Sequence, residues 1–509
     1  MKLRTVAISL VLCVVAAPMA YPQAWVPLVN QPNPNLGLGN PLLLTDGTVI
    51  LHEACGRSWY RLTPDPYGSY VNGTWSSIAP LPAGYAPLYF GSAVLPDGRV
   101  VMEGGEYNAP SGPNSCNGAW TNLGAIYDPK ANKWTPVSPP AHWSTIGDAQ
   151  SVVLPDGTYM QANCCRKQQA LLDASTLTWK VIGKGKFDIN DEEGWTLLPD
   201  GAVLTVDAYV GSYQANGLNY EIFNPKNRAW TSGPASGTIV QLWDSYPDAQ
   251  NASYEVGPAV LRPDGTVFAT GANGAPGASG HTSIYDTNTQ TWTAGPDFPD
   301  GLDVADGPAS ILPNGNVLVM TSPGIFNLGS VFLEWDGTTF TNVTAGNTDA
   351  PNISSYYGNM LALPTGEILF TDFGNVWVYR PKGSPNPAWL PQITSVPTQV
   401  HRGKSYVVSG YNLNGFTQGA AYGDDAQAAT NYPLVRLTNR ITGNVYYART
   451  HDPSTMGIAY SGEASTTFDV SGKTETGLSE LQVVVNGIAS APVTVNVQEE
   501  PVKPVPPLR

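Results

Sequence analysis

Seven times along the chain a β-rich run breaks at a tight turn and resumes. The copies read "LLLTDGTVIL" at 42–51, "SAVLPDGRVVM" at 92–102, "SVVLPDGTYMQ" at 151–161, "TLLPDGAVLTV" at 196–206, "AVLRPDGTVFAT" at 259–270, "SILPNGNVLVM" at 310–320 and "LALPTGEILFT" at 361–371. Asp-Gly or Asn-Gly supplies the positive φ that such a bend needs. The turn glycines fall at Gly47, Gly98, Gly157, Gly201, Gly265, Gly315 and Gly366, so the spacing runs from 44 residues (Gly157 to Gly201) to 64 (Gly201 to Gly265). That period fits a four-stranded unit with variable loops; alternating or short β-branched apolar strings exclude a helical repeat.

Most hairpins are followed by a third strand with Tyr-Asp or a similar pair and a fourth with Trp, as in "AIYDPKANKWTPV" and "SIYDTNTQTWTAG". The tryptophans are Trp75, Trp134, Trp179, Trp230 and Trp292. A buried aromatic on an outer strand can pack each sheet against its neighbour. Seven such sheets around an axis predict a β-propeller over residues 21–385. The seventh unit has only three clear strands, and "AWVPLV" at 24–29, with Trp25, is expected to supply its fourth and close the ring. From 392 to 497 the repeat is lost and strands such as "SYVVSGYNL" and "LQVVVNG" predict an immunoglobulin-like β-sandwich, with a Pro-rich disordered tail at 498–509. The fold class expected is all-β, a seven-bladed β-propeller followed by that sandwich.

Residues 1–20, a basic "MKLR" then an apolar run ending in small residues, predict a signal peptide cleaved near Ala20. The mature chain is then secreted, periplasmic or held at the cell surface, with no transmembrane segment, and is expected as a monomer. The formal net charge of −15 argues against nucleic acid or an anionic membrane as partner, since both need a basic footprint.

The hairpin followed by Tyr-Asp and Trp resembles the kelch repeat. Seven such blades plus an immunoglobulin-like C-terminal domain resemble the galactose oxidase and glyoxal oxidase architecture. That resemblance implies a copper ion held by two His and two Tyr, one Tyr cross-linked to Cys. His451, in "YARTHDPSTMG", stands in a place comparable to the family ligand carried by the C-terminal domain. The family's Tyr-His pair on the propeller has no match, because the corresponding segments read "EVGPAVLRPDG" and "ADGPASILPNG". Copper needs converging nitrogen or sulfur donors, and a second ligand would have to come from His52, His142, His281 or His401.

By analogy with other propellers, the residues just before each first strand are expected to face one mouth: Tyr89, Asp148, Glu192, Glu193, Glu255, Asp306 and Tyr357. Converging carboxylates raise each other's pKa or recruit a cation. A Ca²⁺ site built on Asp148, Glu193 and Asp306 with His451, acid and base work on a glycosidic bond, and simple capping of turns are the three readings. Top-face insertions add Trp143, Trp243 and Tyr246, whose rings suit stacking on sugars and equally suit loop packing. Asp424 and Asp425 in "GFTQGAAYGDDAQAATNYPLVR" read as a turn or a contact with the propeller base. Cys55, Cys116, Cys164 and Cys165 follow second strands in blades one to three. They allow either a vicinal Cys164–Cys165 bond or two bridges tying blades one and two to blade three.

A ligand-binding protein for extracellular carbohydrate or another polymer is therefore expected. The alternatives are a copper oxidase or carboxylate-based glycan-cleaving enzyme, and a protein-interaction module.

Overall fold

The computed structural model describes residues 23–500 apart from 110–115, 117–118, 209–219, 234–239, 245, 247–251, 274, 276 and 426. The expected signal peptide and residues 501–509 of the expected tail lie outside the described residues. No helix among those described is long and apolar enough to cross a membrane.

Each of the seven turns is built in one way. The glycine N–H donates to the carbonyl three residues back, as Gly98 does to Leu95 at 2.8 Å, and the residue at that carbonyl donates across the hairpin, as Leu95 does to Arg99 at 2.8 Å. Gly98 has φ 80° and the other six turn glycines lie between 77° and 89°. That is a type I turn completed by one left-handed residue, a position where a Cβ is costly and glycine is not. The acidic residue does not itself take positive φ: its side chain accepts from the backbone two residues on, as Asp97 does from Arg99 at 3.0 Å.

Seven four-stranded blades follow. Blade one runs through Leu38–Leu43, Val49–Glu53, Trp59–Thr63 and Thr74–Ser77, with its first strand innermost. The innermost strands of blades two to seven are Gly91–Val94, Ser151–Val153, Thr196–Leu197, Val256–Leu261, Ala309–Ile311 and Asn359–Ala362. Blade seven ends on Val376–Arg380 and takes Ala24–Pro27 as its outer strand, antiparallel, with Trp25 opposite Tyr379. The register is the one used inside unbroken blades, where Trp134 faces Tyr127 and Trp292 faces Tyr285. The N-terminal segment thus closes the ring as its tryptophan indicated.

The C-terminal residues form one nine-stranded sheet, Gln392–Ser395 through Val493–Gln498, in which Gln399–His401 runs parallel to Val493–Gln498. Val400, Val408, Val435, Phe468, Leu481 and Val495, drawn from across that sheet, share one buried core, so the sheet curls around it. Two further C-terminal strands leave this sheet. Gly419–Ala421 and Ala428–Ala429 form a hairpin that enters the propeller and pairs with the inner strand of blade six, Ala309 facing Ala421 and Ser310 facing Ala420. Small residues on both of its arms let it pass along the inner strands of blades one, two, five, six and seven. Asp424 and Asp425 are at its tip. The expectation of a contact at the base of the propeller is therefore corrected: this loop plugs the channel.

Two features give stability tests. Trp25 is buried against Phe332, Phe370 and Tyr379, and its indole N–H donates to Val343 O at 2.8 Å. Trp25→Ala removes this whole contact and is expected to cost about 3–5 kcal/mol, read by urea denaturation. His52 is wedged between Trp59 and Phe90 with Nε2 3.0 Å from Gly56 O. Burial pulls its pKa down to about 3, which the Gly56 carbonyl only partly offsets. The unfolded chain takes up this proton near pH 6.5 and the folded chain does not, so stability present above pH 6.5 is lost as pH falls toward 3. Between pH 7 and 4 the wild type should lose about 3 kcal/mol relative to His52→Phe.

Candidate functional site

Ahead of several inner strands the backbone takes a left-handed turn at the residue that carries the mouth side chain. Tyr89, Glu192 and Asp306 have φ of 50°, 55° and 49°, and Asp148 follows Gly147 at φ 74°. Left-handed backbone in a non-glycine residue costs about 1 kcal/mol; it recurs ahead of the inner strands of blades two, four and six, and again at Asn132, Leu177, Arg228 and Gln290 in the turns between third and fourth strands. Glu192, Glu255 and Asp306 bring carboxylate oxygens within 4.8 Å of one another. The plug supplies the floor. Gly423 lies so close that a Cβ there would stand 2.5 Å from Asp306 Oδ1, and a Cβ on Gly194 would stand 2.4 Å from Gly423 O. Two facing glycines therefore let the acidic tip reach blade four.

The floor is strongly acidic. Asp424 and Asp425 are 3 % and 1 % exposed, while Asp148, Glu192, Glu255, Asp306 and Glu106 are half-buried around them. Burial pushes the carboxyl of Asp148 well above its usual range, and Asp424, Glu192 and Glu106 push it further. Glu192, Glu255, Asp306 and Asp425 are raised in the same way, by burial first and then by each other and Asp424. Asp424 and Glu106 are raised by burial. Among the described residues no Lys or Arg forms an ion pair with any of these seven. No N–H or hydroxyl among the described residues donates to either oxygen of Asp425, to Oδ1 of Asp148 or to Oε2 of Glu255, all of them buried; Asp425 and Glu255 share bonds only with other carboxyls, those of Asp424 and Glu192.

Tyrosines form the rim. Tyr89 and Tyr107 have ring centroids 6.1 Å apart; Tyr356 and Tyr357 are 4.1 Å apart, and Phe326 stands edge-on to Tyr356 at 5.3 Å. Tyr422 on the plug donates its hydroxyl to Tyr356 O at 2.8 Å, joining floor to rim. Burial and the neighbouring Glu106 push Tyr107 up to about 12, so it remains a neutral hydrogen-bond donor at physiological pH.

Several expected residues sit elsewhere. Glu193, one position from Glu192, points between blades three and four, where Lys186 Nζ is 3.0 Å from its Oε1, 3.6 Å from Asp207 and 2.5 Å from Glu221. Gln150 also donates to Glu193 at 3.0 Å. Burial alone would lower the Lys186 pKa, but the three carboxylates outweigh it and raise it, so the ammonium stays charged. Burial pushes Glu193 up against the pull of Lys186, and Asp207, Asp188 and Glu221 push it further, because three carboxylates around one ammonium leave an excess of negative charge. Glu193 is committed to this ion cluster and does not join the mouth. His451 lies on the hairpin-turn side, beside Pro96, with Nδ1 2.7 Å from Asp452 and Nε2 3.2 Å from Asp469. The C-terminal element that reaches the axis is the Asp424–Asp425 tip, so His451 is not placed to share a metal with Asp148 or Asp306. His52 is buried between rings, His281 pairs with Asp297, His401 contacts Glu499 O, and His142 is exposed.

Trp143 and Trp243 are buried, the latter stacked on Tyr254 at 5.2 Å, so both pack loops; Tyr246 is 45 % exposed. Of the two cysteine arrangements, Cys164 bonds Cys165, and Cys55 bonds Cys116 to tie blade one to blade two. Neither reaches from blade three to the other blades. Cys164 packs under Gly147, next to Asp148, with Trp120 on the same spot.

Asp424, Asp425, Glu106, Tyr107, Tyr356 and Tyr422 were not singled out as mouth residues. A sequence signal did exist for the first two, in the small residues that flank them in "GAAYGDDAQAAT".

No family model matches the chain. Among curated proteins, the Kelch-like protein terF of Aspergillus terreus (strain NIH 2624 / FGSC A1156) is 26% identical over 141 residues. The match spans 26% of this chain and about a quarter of that relative, also 26%. Among solved structures, YCF48 bound to D1 peptide superposes with a TM-score of 0.44 at 12% identity, over 73% of this chain and 99% of that one. The terF match and the seven blades support a kelch-type propeller.

Lys186 offers a test of the neighbouring ion cluster. Lys186→Met leaves Glu193, Asp207 and Glu221 buried without their cation and should destabilise by about 3–5 kcal/mol in chemical denaturation.

Proposed function

We propose that this protein is an exported binding protein that captures a polyhydroxylated ligand, a carbohydrate or related polymer, at the plugged mouth of its propeller. The observation that carries this reading is the pairing of an acceptor-rich floor with an aromatic rim. Carboxylates accept hydrogen bonds from several hydroxyls at once, while tyrosine faces stack on the apolar faces of sugar rings. In this reading the curled C-terminal sheet is an immunoglobulin-like sandwich of the galactose-oxidase-like architecture, and its plug has exchanged a histidine for two aspartates. An oxygen-only floor does not suit copper, which disfavours the oxidase alternative. The exposed Phe326 and Leu328 near Tyr356 favour a second reading, in which the rim holds apolar side chains of a partner protein.

A glycan array probed with the full chain separates these. Wild type should be retained on a defined set of glycans, and Tyr107→Ala or Tyr356→Ala should weaken retention at least about tenfold with an unchanged melting temperature. Retention unaffected by either change, or binding to a peptide library and to no glycan, overturns the carbohydrate reading.

A further inference from the structure

We infer that the floor of the mouth is a binding site for one hard divalent cation, Ca²⁺ in the first instance, ligated by Glu192, Glu255 and Asp306, with the plug residue Asp425 adding buried charge beside them. This deepens the reading of the mouth as the ligand site, yet its test uses no glycan, so either can fail alone.

Three observations carry it. First, Ca²⁺ binds oxygen at about 2.3–2.6 Å, so ligands on opposite sides of one ion stand up to about 5 Å apart. The oxygens of Glu192, Glu255 and Asp306, all within 4.8 Å of one another, fit around such an ion. Second, Asp425 is 1 % exposed and no N–H or hydroxyl among the described residues donates to either of its oxygens, while the charges of Asp148 and Asp306 bear on it and its own is felt at Tyr89. A buried carboxylate left this way is costly, and Glu255 Oε2 and Asp148 Oδ1 repeat the condition beside it. Third, the same chain shows how it neutralises buried acids when it uses its own side chains. Glu193, Asp207 and Glu221 surround Lys186, whereas the mouth has more carboxylates and no Lys or Arg among the described residues. A bound cation supplies the missing charge.

The donor set selects the ion. Only carboxylate oxygens converge, with no histidine or thiolate, which suits Ca²⁺ over copper or zinc. The ligands come from blades four, five and six, so the ion would hold the entries of these three blades together beside the acidic tip of the plug. A hydroxyl pair of a ligand could then complete the coordination sphere from the open side.

The test uses the full chain after EGTA treatment and dialysis. Tb³⁺ luminescence excited through tyrosine should appear with one site per chain, since Tyr89 and Tyr422 lie beside the acids, and Ca²⁺ should displace it. Glu255→Gln and Asp425→Asn should each weaken Ca²⁺ binding at least tenfold, while His451→Ala, remote from the mouth, should not. Melting temperatures should cross over: without metal either substitution relieves repulsion and raises the value, and in excess Ca²⁺ the wild type is the more stable. If Asp425→Asn fails to fold, Glu192→Gln carries the same expectation. Absence of Tb³⁺ and Ca²⁺ binding at millimolar concentration, or binding unaltered by the substitutions, overturns the proposal and leaves shared protons as what holds the acids together.

Discussion

The pairing of Ala420 and Ala421 with Ser310 and Ala309 sets how far the C-terminal hairpin enters the propeller, and the rest of the mouth takes its geometry from that depth. A strand ladder is a discrete constraint, because a slip of one residue would turn every side chain to the opposite face. With this register Gly423 meets Gly194, Tyr422 reaches the Tyr356 carbonyl, and the two aspartates arrive between Asp148 and Asp306. The pairing also gives the inner edge of blade six, which would otherwise be unpaired toward the channel, a set of backbone partners.

The ring that surrounds the plug was legible because it is written as a repeat. A type I turn needs its glycine, the outer tryptophan needs a third-strand aromatic or leucine opposite it, and both requirements recur at a readable period. Ring closure through Trp25 could be inferred by counting strands, since the seventh blade lacked one and a spare Trp-bearing strand stood at the start. The mouth was legible only in outline. Asp148, Glu192, Glu255 and Asp306 were found by their position before inner strands, which is again a repeat argument.

What could not be read depends on contacts that occur once. Glu192 and Glu193 are neighbours in the chain and face opposite sides, and only the backbone turn at Glu192 and the presence of Lys186 decide which one meets the axis. The choice between His451 and Asp425 as the C-terminal residue on the axis depends on which loop leaves the curled sheet. His451 is held in its own strand by Asp452 and Asp469, while the Gly-Ala-Ala segment is slim enough to thread a channel. Trp143 and Trp243 show the same limit, since an aromatic in a long loop can serve the ligand or the loop, and burial settles it.

Because Ala24–Pro27 completes the last blade and the hairpin of Gly419–Ala421 and Ala428–Ala429 completes the channel floor, the plugged ring draws on chain from residue 24 to residue 429. No fragment that ends before this hairpin contains the whole of it. A nascent polypeptide must therefore emerge almost whole before any pocket exists, and a cut anywhere between the ring and the curled sheet separates the walls from their floor. Trimmed versions lacking the last hundred residues would retain the wheel's outline and none of its deepest acids.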